Sequence, residues 1–272
     1  MSTRAPSGRA GAVLNAGRGR RAIPPVVIAA IAGAWILAVI AQSTGKARLL
    51  HHDALIEGDL AFGLALLLFL LAWQVMIAAM MLPSSLPLIR LFGRAARAQE
   101  RPQAAMAAFL GGYALIWTMF GWAAFIGDVV LHDLVDHTPW LAAHPSLIAG
   151  GVLVGAGTFQ FTALKDRCLQ RCRDPRAFML ARYDRGAHSA FRLGRDHGLF
   201  CLGCCWALML VMFAAGVADL WWMAALTGLM VLEKTAPSGG RSVPASGLVL
   251  LGWGALIVLQ PAWLPAALAG TP

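Results

Sequence analysis

The feature that most constrains this chain is a succession of apolar runs, each near the length of a helix that crosses a bilayer. Seven stand out: 24–43, 60–82, 104–127, 146–164, 199–216, 219–233 and 246–264. A bilayer's hydrocarbon core is about 30 Å thick, so a spanning helix needs ~20 predominantly apolar residues. In lipid every backbone polar group must find its partner within the protein, which favours helices over open strands. The runs therefore predict an all-α fold: a polytopic bundle of about seven transmembrane helices. Composition agrees, since 59% of residues are hydrophobic and 13% charged, against ~25% charged in soluble domains. The stretch 199–233 is the exception in form, because Asp219 is its one charged residue before the terminal Glu233. It reads as two short spans turning at Gly216–Asp219, or as a re-entrant hairpin.

The connecting segments set the orientation. Residues 83–103 carry Arg90, Arg94, Arg97 and Arg101, and residues 165–197 carry nine basic residues. Residues 128–145 carry none, and 44–59 balance Lys46 and Arg48 with Asp53, Glu57 and Asp59. This alternation is the positive-inside pattern. It accounts for the formal charge of +9 without a nucleic-acid partner. It predicts a multi-pass protein of a bacterial inner membrane, with the N-terminus cytoplasmic and the lipid bilayer as a partner. Residues 1–23, polar and with five arginines, read as a disordered basic cytoplasmic tail. Residues 24–264 form the transmembrane domain, and 265–272 a short C-terminal tail. Gln42-Ser-Thr-Gly45 is not an A-x-A cleavage site, so 24–43 reads as an uncleaved first helix.

Five cysteines carry most of the chemistry. Cys201, Cys204 and Cys205 fall in the run His197-Gly-Leu-Phe-Cys-Leu-Gly-Cys-Cys-Trp206. On a helix, positions i, i+3 and i+4 share a face, and Met209 and Met212 continue that stripe. With the helix starting near 199, these thiols stand at its cytoplasmic mouth. The second run ends Met80-Met81-Leu-Pro83. A proline breaks a regular helix, which places Met80 and Met81 at that helix's inner end. The fourth run continues through Lys165, Cys168 and Cys172 toward Pro175; if helical, it sets both thiols on one face. Topology thus predicts that all five cysteines and two methionines share the cytoplasmic side.

These three stretches resemble a bacterial family of unknown function described as predicted metal-binding integral membrane proteins, some of whose members are labelled copper chaperones. The resemblance rests on Trp73 to Pro87, on Gln160 to Pro175 with Lys165, Cys168 and Cys172, and on Gly198 to Lys234 around Cys201-Leu-Gly-Cys204-Cys205-Trp206. It covers roughly residues 60–235 and leaves the tail and the last span outside. It implies a metal-related role and is silent on mechanism.

Thiolate and thioether ligands select Cu(I), and thiolates also suit Zn(II). A reducing cytosol keeps thiols available as ligands. The set Cys201, Cys204, Cys205, Cys168, Cys172, Met80, Met81, Met209 and Met212 therefore reads as a Cu(I) site, with zinc as the alternative metal. The role is a chaperone or carrier, with a membrane copper enzyme or its assembly factors as recipient. Three other readings compete. Cysteine also packs helices closely, and Cys201-x-x-Cys204 at a helix start would have a dipole-lowered pKa suited to disulfide exchange. The chain could equally be a non-catalytic scaffold. No Walker A loop, Ser-His-Asp arrangement or dinucleotide fingerprint is present, so an ATP-driven pump is not contained in this chain; whether it is an enzyme stays open, with the balance toward a non-enzyme.

Ionisable residues at membrane helix ends are functional candidates by default. Glu233 and Lys165 read as a cross-helix pair, or as groups that support the ligands or carry a proton. Lys234 reads as an interfacial lysine snorkelling to water. On the outer side His51, His52, His132 and His137 could capture Cu(II) or Zn(II) and feed the sulfur column through Met76, Met119, Met209 and Met212. Polar loops need polar residues in any case.

Overall fold

A computed structural model describes residues 23–45, 55–56, 60–214 and 220–260. The two tails, His51 and His52, and the turn at 216–219 lie outside the described residues. Among the described residues ten helices follow in chain order: α1 (Pro25–Ser43), α2 (Phe62–Ala96), α3 (Pro102–Asp136), α4 (Pro139–Ala142), α5 (Pro145–Phe159), α6 (Ala163–Arg173), α7 (Pro175–Arg182), α8 (Ala187–Ala214), α9 (Leu220–Thr235) and α10 (Gly239–Leu259). No strand occurs among the described residues, so the chain is all-α.

Local sequence explains where these helices begin. α1, α3, α4, α5 and α7 each start on a proline in the first turn. There the missing N–H is harmless and the fixed φ is already helical. α6 starts differently: the Thr162 hydroxyl accepts a hydrogen bond from the Lys165 backbone N–H at 3.2 Å, satisfying one orphan donor of the first turn.

Five helices (α1, α2, α3, α8 and α10) are long and apolar enough to cross a membrane, and α5 with α6 makes a sixth if the bent pair is one span. The count is thus about six rather than seven. α9 has sixteen residues, short of the roughly 20 a bilayer needs. Large apolar side chains face outward on several helices, among them Leu37, Leu71, Met119, Leu248 and Val249. Outward-facing apolar side chains on helices of this length are compatible with a multi-pass membrane protein.

Three expectations are corrected. The helix carrying the cysteine triplet starts at Ala187, not near 199, so Cys201, Cys204 and Cys205 stand in mid-helix. The basic segment before it is not a loop but α6, α7 and the first turns of α8. Second, α2 runs unbroken through Pro83 and Pro87 to Ala96, so Met80 and Met81 are also mid-helix. Pro83 has no N–H for the Ala79 carbonyl, four residues back; the indole of Trp35 on α1 donates to that carbonyl at 3.1 Å instead. Neighbouring side chains rescue membrane-helix prolines in this way. Third, the fourth run bends by 65° between α5 and α6.

Glycines set the closest helix contacts. A Cβ on Gly112 of α3 would strike the Phe191 carbonyl of α8, and one on Gly194 of α8 would strike the Phe109 carbonyl. Gly194 and Gly198 lie four apart on the α8 face that meets α3, the small-xxx-small arrangement that lets backbones approach. The order of these contacts makes α3 and α8 parallel. Gly150 and Gly157 of α5 meet Gly254 and Gly247 of α10 in antiparallel fashion. Together these contacts hold α8 against α3 and leave its cysteine face turned toward α2, α6 and α9.

Candidate metal site

Cys201, Cys204 and Cys205 are almost fully buried, at 0%, 0% and 1% exposure. Their i, i+3, i+4 spacing puts them on the inward face of α8. The Cys204 thiol lies 3.3 Å from that of Cys205 and donates to the Cys201 carbonyl at 3.2 Å. Cys201 and Cys205, four residues apart, share that face. From α6, Cys172 reaches across so that its sulfur is 3.9 Å from that of Cys204. Cys168, one turn earlier, packs its sulfur against Gly203 of α8, where a Cβ would stand only 2.5 Å away. All five are free thiols. Among the described residues, no three His, Cys, Asp or Glu side chains are already arranged to hold a metal ion.

The methionines share this core. Met80, Met81, Met209 and Met212 are all at 0% exposure within the same apolar cluster. Met76 is buried too, whereas Met119 is 60% exposed and faces away from the interior. The Met76–Met119 leg of the proposed pathway is therefore not a continuous interior column.

The surroundings of Cys201 carry no signal in the sequence. Lys234 of α9 is 5% exposed and donates to the Cys201 sulfur at 3.1 Å and to the Ser84 hydroxyl at 3.0 Å. It does not snorkel, because α2, α6 and α8 enclose the end of α9. Tyr113 of α3 meets the same sulfur at 3.1 Å. Its hydroxyl accepts from Ser85 at 3.3 Å, and Ser85 in turn meets His197 Nε2 at 3.1 Å. The phenol and imidazole rings stack with centroids 5.5 Å apart. A polar string of Lys234, Cys201, Tyr113, Ser85 and His197 thus lies buried beside the thiols. Ser84, Ser85 and Tyr113 have no telling spacing, and His197 looks in the sequence like the polar edge of a loop.

Glu233 and Lys165 do pair. Lys165 Nζ donates to Glu233 Oε2 at 2.6 Å, with both side chains at 1% exposure. Glu233 Oε1 also accepts from Ser246 at 3.1 Å and from Gln160 at 3.4 Å. Arg173 completes the join of α6 to α9, donating to the carbonyls of Glu233 at 3.1 Å and Ala236 at 3.0 Å.

The described histidines read from the sequence as an ion-capture group do not form one among the described residues. His132, His137 and His144 each donate Nδ1–H to the carbonyl four residues back, at 3.0, 2.8 and 2.7 Å. The hydrogen bond to the Asp133 carbonyl, with the Asp133 carboxylate beside it, raises the pKa of His137 above the ordinary imidazole value.

A protein-family model, PpoB2, described as copper chaperone, matches residues 70–257. No curated protein and no solved structure matches the chain. The matched region runs from α2 into the last turn of α10, and includes every cysteine, the Lys165–Glu233 pair and Lys234. The chain belongs to the PpoB2 copper chaperone family.

Proposed function

We propose that this protein is a membrane-embedded chaperone that holds Cu(I) as cargo on the thiolates of Cys172, Cys204 and Cys205. Cys201 and Cys168 flank the site, and Met80, Met81, Met209 and Met212 offer thioethers for transfer. The observation that carries this is the meeting of Cys172 with Cys204 across two helices, inside a family of copper chaperones. With metal–sulfur bonds of about 2.3 Å, two thiolates on one ion stand ~3.8–4.0 Å apart in tetrahedral or trigonal geometry. The Cys172–Cys204 separation of 3.9 Å matches that without movement. The 3.3 Å between Cys204 and Cys205 needs only a rotamer change. Thiols and thioethers without imidazole or carboxylate favour Cu(I) over the divalent metals.

Cargo must leave as well as bind. A cluster short of a finished cage suits an ion passed by exchanging one sulfur for another. The recipient that fits is a membrane copper enzyme or its assembly factor, in the bacterial inner membrane.

Copper content of purified protein tests the reading. Loaded with Cu(I) under anaerobic, reducing conditions and washed with a competing chelator, the protein should keep about one copper per chain, as one sulfur cluster implies. The Cys172→Ser and Cys204→Ser variants should each lose most of it. Copper content unchanged in Cys204→Ser would contradict the assignment.

A further inference from the structure

The three α8 thiols are sealed from solvent, so cargo cannot reach them unless some element moves. α6 is the candidate on four independent observations. It carries Cys168 and Cys172, the thiols that face the α8 triplet. It is the one cysteine-bearing helix that is mostly polar, with Lys165, Asp166, Arg167, Gln170, Arg171 and Arg173 in eleven residues. It follows a 65° break. Its face next to the cysteine face lines a cavity of about 310 Å³, shared with Gly240, Val243 and Pro244 of α10.

What holds α6 in place is polar and local. The Lys165–Glu233 pair ties its first turn to α9. Arg173 ties its last turn to the carbonyls at the end of the same helix. A buried pair that loses one partner leaves an uncompensated charge, which is strongly unfavourable, whereas replacing both charges with apolar groups is often tolerated. Without Glu233, Lys165 has to move toward water, and α6 has the cavity beside it to move into.

We infer that α6 is a hinged arm that presents Cys172 to Cys204, and that Lys165, Glu233 and Arg173 form the clasp that closes it. Lys165, Glu233 and Arg173 are positioning residues, acting through the placement of Cys172. The inference deepens the copper-holding reading and rests on it for its purpose, but its geometry is tested without metal.

The experiment is maleimide labelling of metal-free full-length protein in lipid nanodiscs, with the rate at each cysteine read by mass spectrometry. An Ala65→Cys change in the buried first turn of α2, between the Phe62 and Phe69 that meet Phe125 of α3, supplies a reporter thiol for general loosening. Glu233→Gln is expected to raise the rate at Cys204 at least ~10-fold, by populating the locally open state, with the reporter thiol unchanged. Lys165→Met combined with Glu233→Met is expected to restore slow labelling. Three results would overturn the clasp: no change at Cys204 in Glu233→Gln, a parallel rise at the reporter, or equally fast labelling in the double variant. None of these outcomes depends on whether copper binds, so failure of the arm and failure of the metal site are told apart.

Discussion

At the scale of single residues, the site is defined less by its cysteines than by what surrounds them. Cys201 is the thiol that meets buried polar side chains, with Lys234 and Tyr113 both on its sulfur. Tyr113→Phe removes one bridge and strips Ser85 of its acceptor. A buried polar group left without its partner costs about 1–3 kcal/mol, so thermal unfolding in detergent should show a loss of that order. Copper content should stay intact, because the hydroxyl is not a ligand; equal loss of copper and stability would give Tyr113 a different role. The cysteines and methionines are legible in the sequence because soft donors are rare and their spacing is helical. Lys165 with Glu233 is legible because charges in apolar runs demand partners. Tyr113, Ser84 and Ser85 are not, because a lone hydroxyl in a helix carries no periodic signal. Lys234 misleads because snorkelling is the rule at a helix end, and only the tertiary packing shows that this end is covered.

At the scale of elements, boundaries differ from the sequence reading while faces agree with it. The i, i+3, i+4 face of Cys201, Cys204 and Cys205 is where the helical period puts it, but the helix begins at Ala187 because Ala187–Gly198 is itself helical despite its charges. Placing the triplet in mid-helix removes the reason for a dipole-activated thiol, since that effect fades within the first turn. Pro83 is a helix breaker by its own chemistry, yet α2 continues past it. Trp35 supplies the missing donor to the Ala79 carbonyl at 3.1 Å. Trp35→Phe should therefore destabilise α2 near Pro83 by about 1–3 kcal/mol, the cost of an unsatisfied buried carbonyl. Hydrogen exchange should show faster opening around residues 79–87 and little change in α10. Protection unchanged there would mean that α2 tolerates Pro83 without help from α1.

At the scale of the whole molecule, topology and packing do different work. The charge alternation predicts that the cysteine-bearing segments share one side, and the all-α bundle agrees with the apolar runs. Lateral proximity is not legible in the chain, because it depends on which helices the glycine contacts bring together. α3 and α8 pack in parallel through Gly112, Gly194 and Gly198, and that leaves the thiol face of α8 open to α2, α6 and α9. The span count is about six rather than seven because α9 is short, as the run 219–233 already suggests, and because α5–α6 is bent, which hydropathy alone does not reveal. His132, His137 and His144 lie at the far end of α3 and beyond it, about five turns past the Tyr113 that meets Cys201, so the identity of the atoms around bound copper locates the site. The most direct measurement is copper X-ray absorption on the loaded full-length protein. Loaded protein is expected to show Cu(I) with a first shell of sulfur alone, lost in Cys204→Ser. A first shell of nitrogen or oxygen, or a spectrum unchanged by that substitution, would contradict a thiolate site at Cys204.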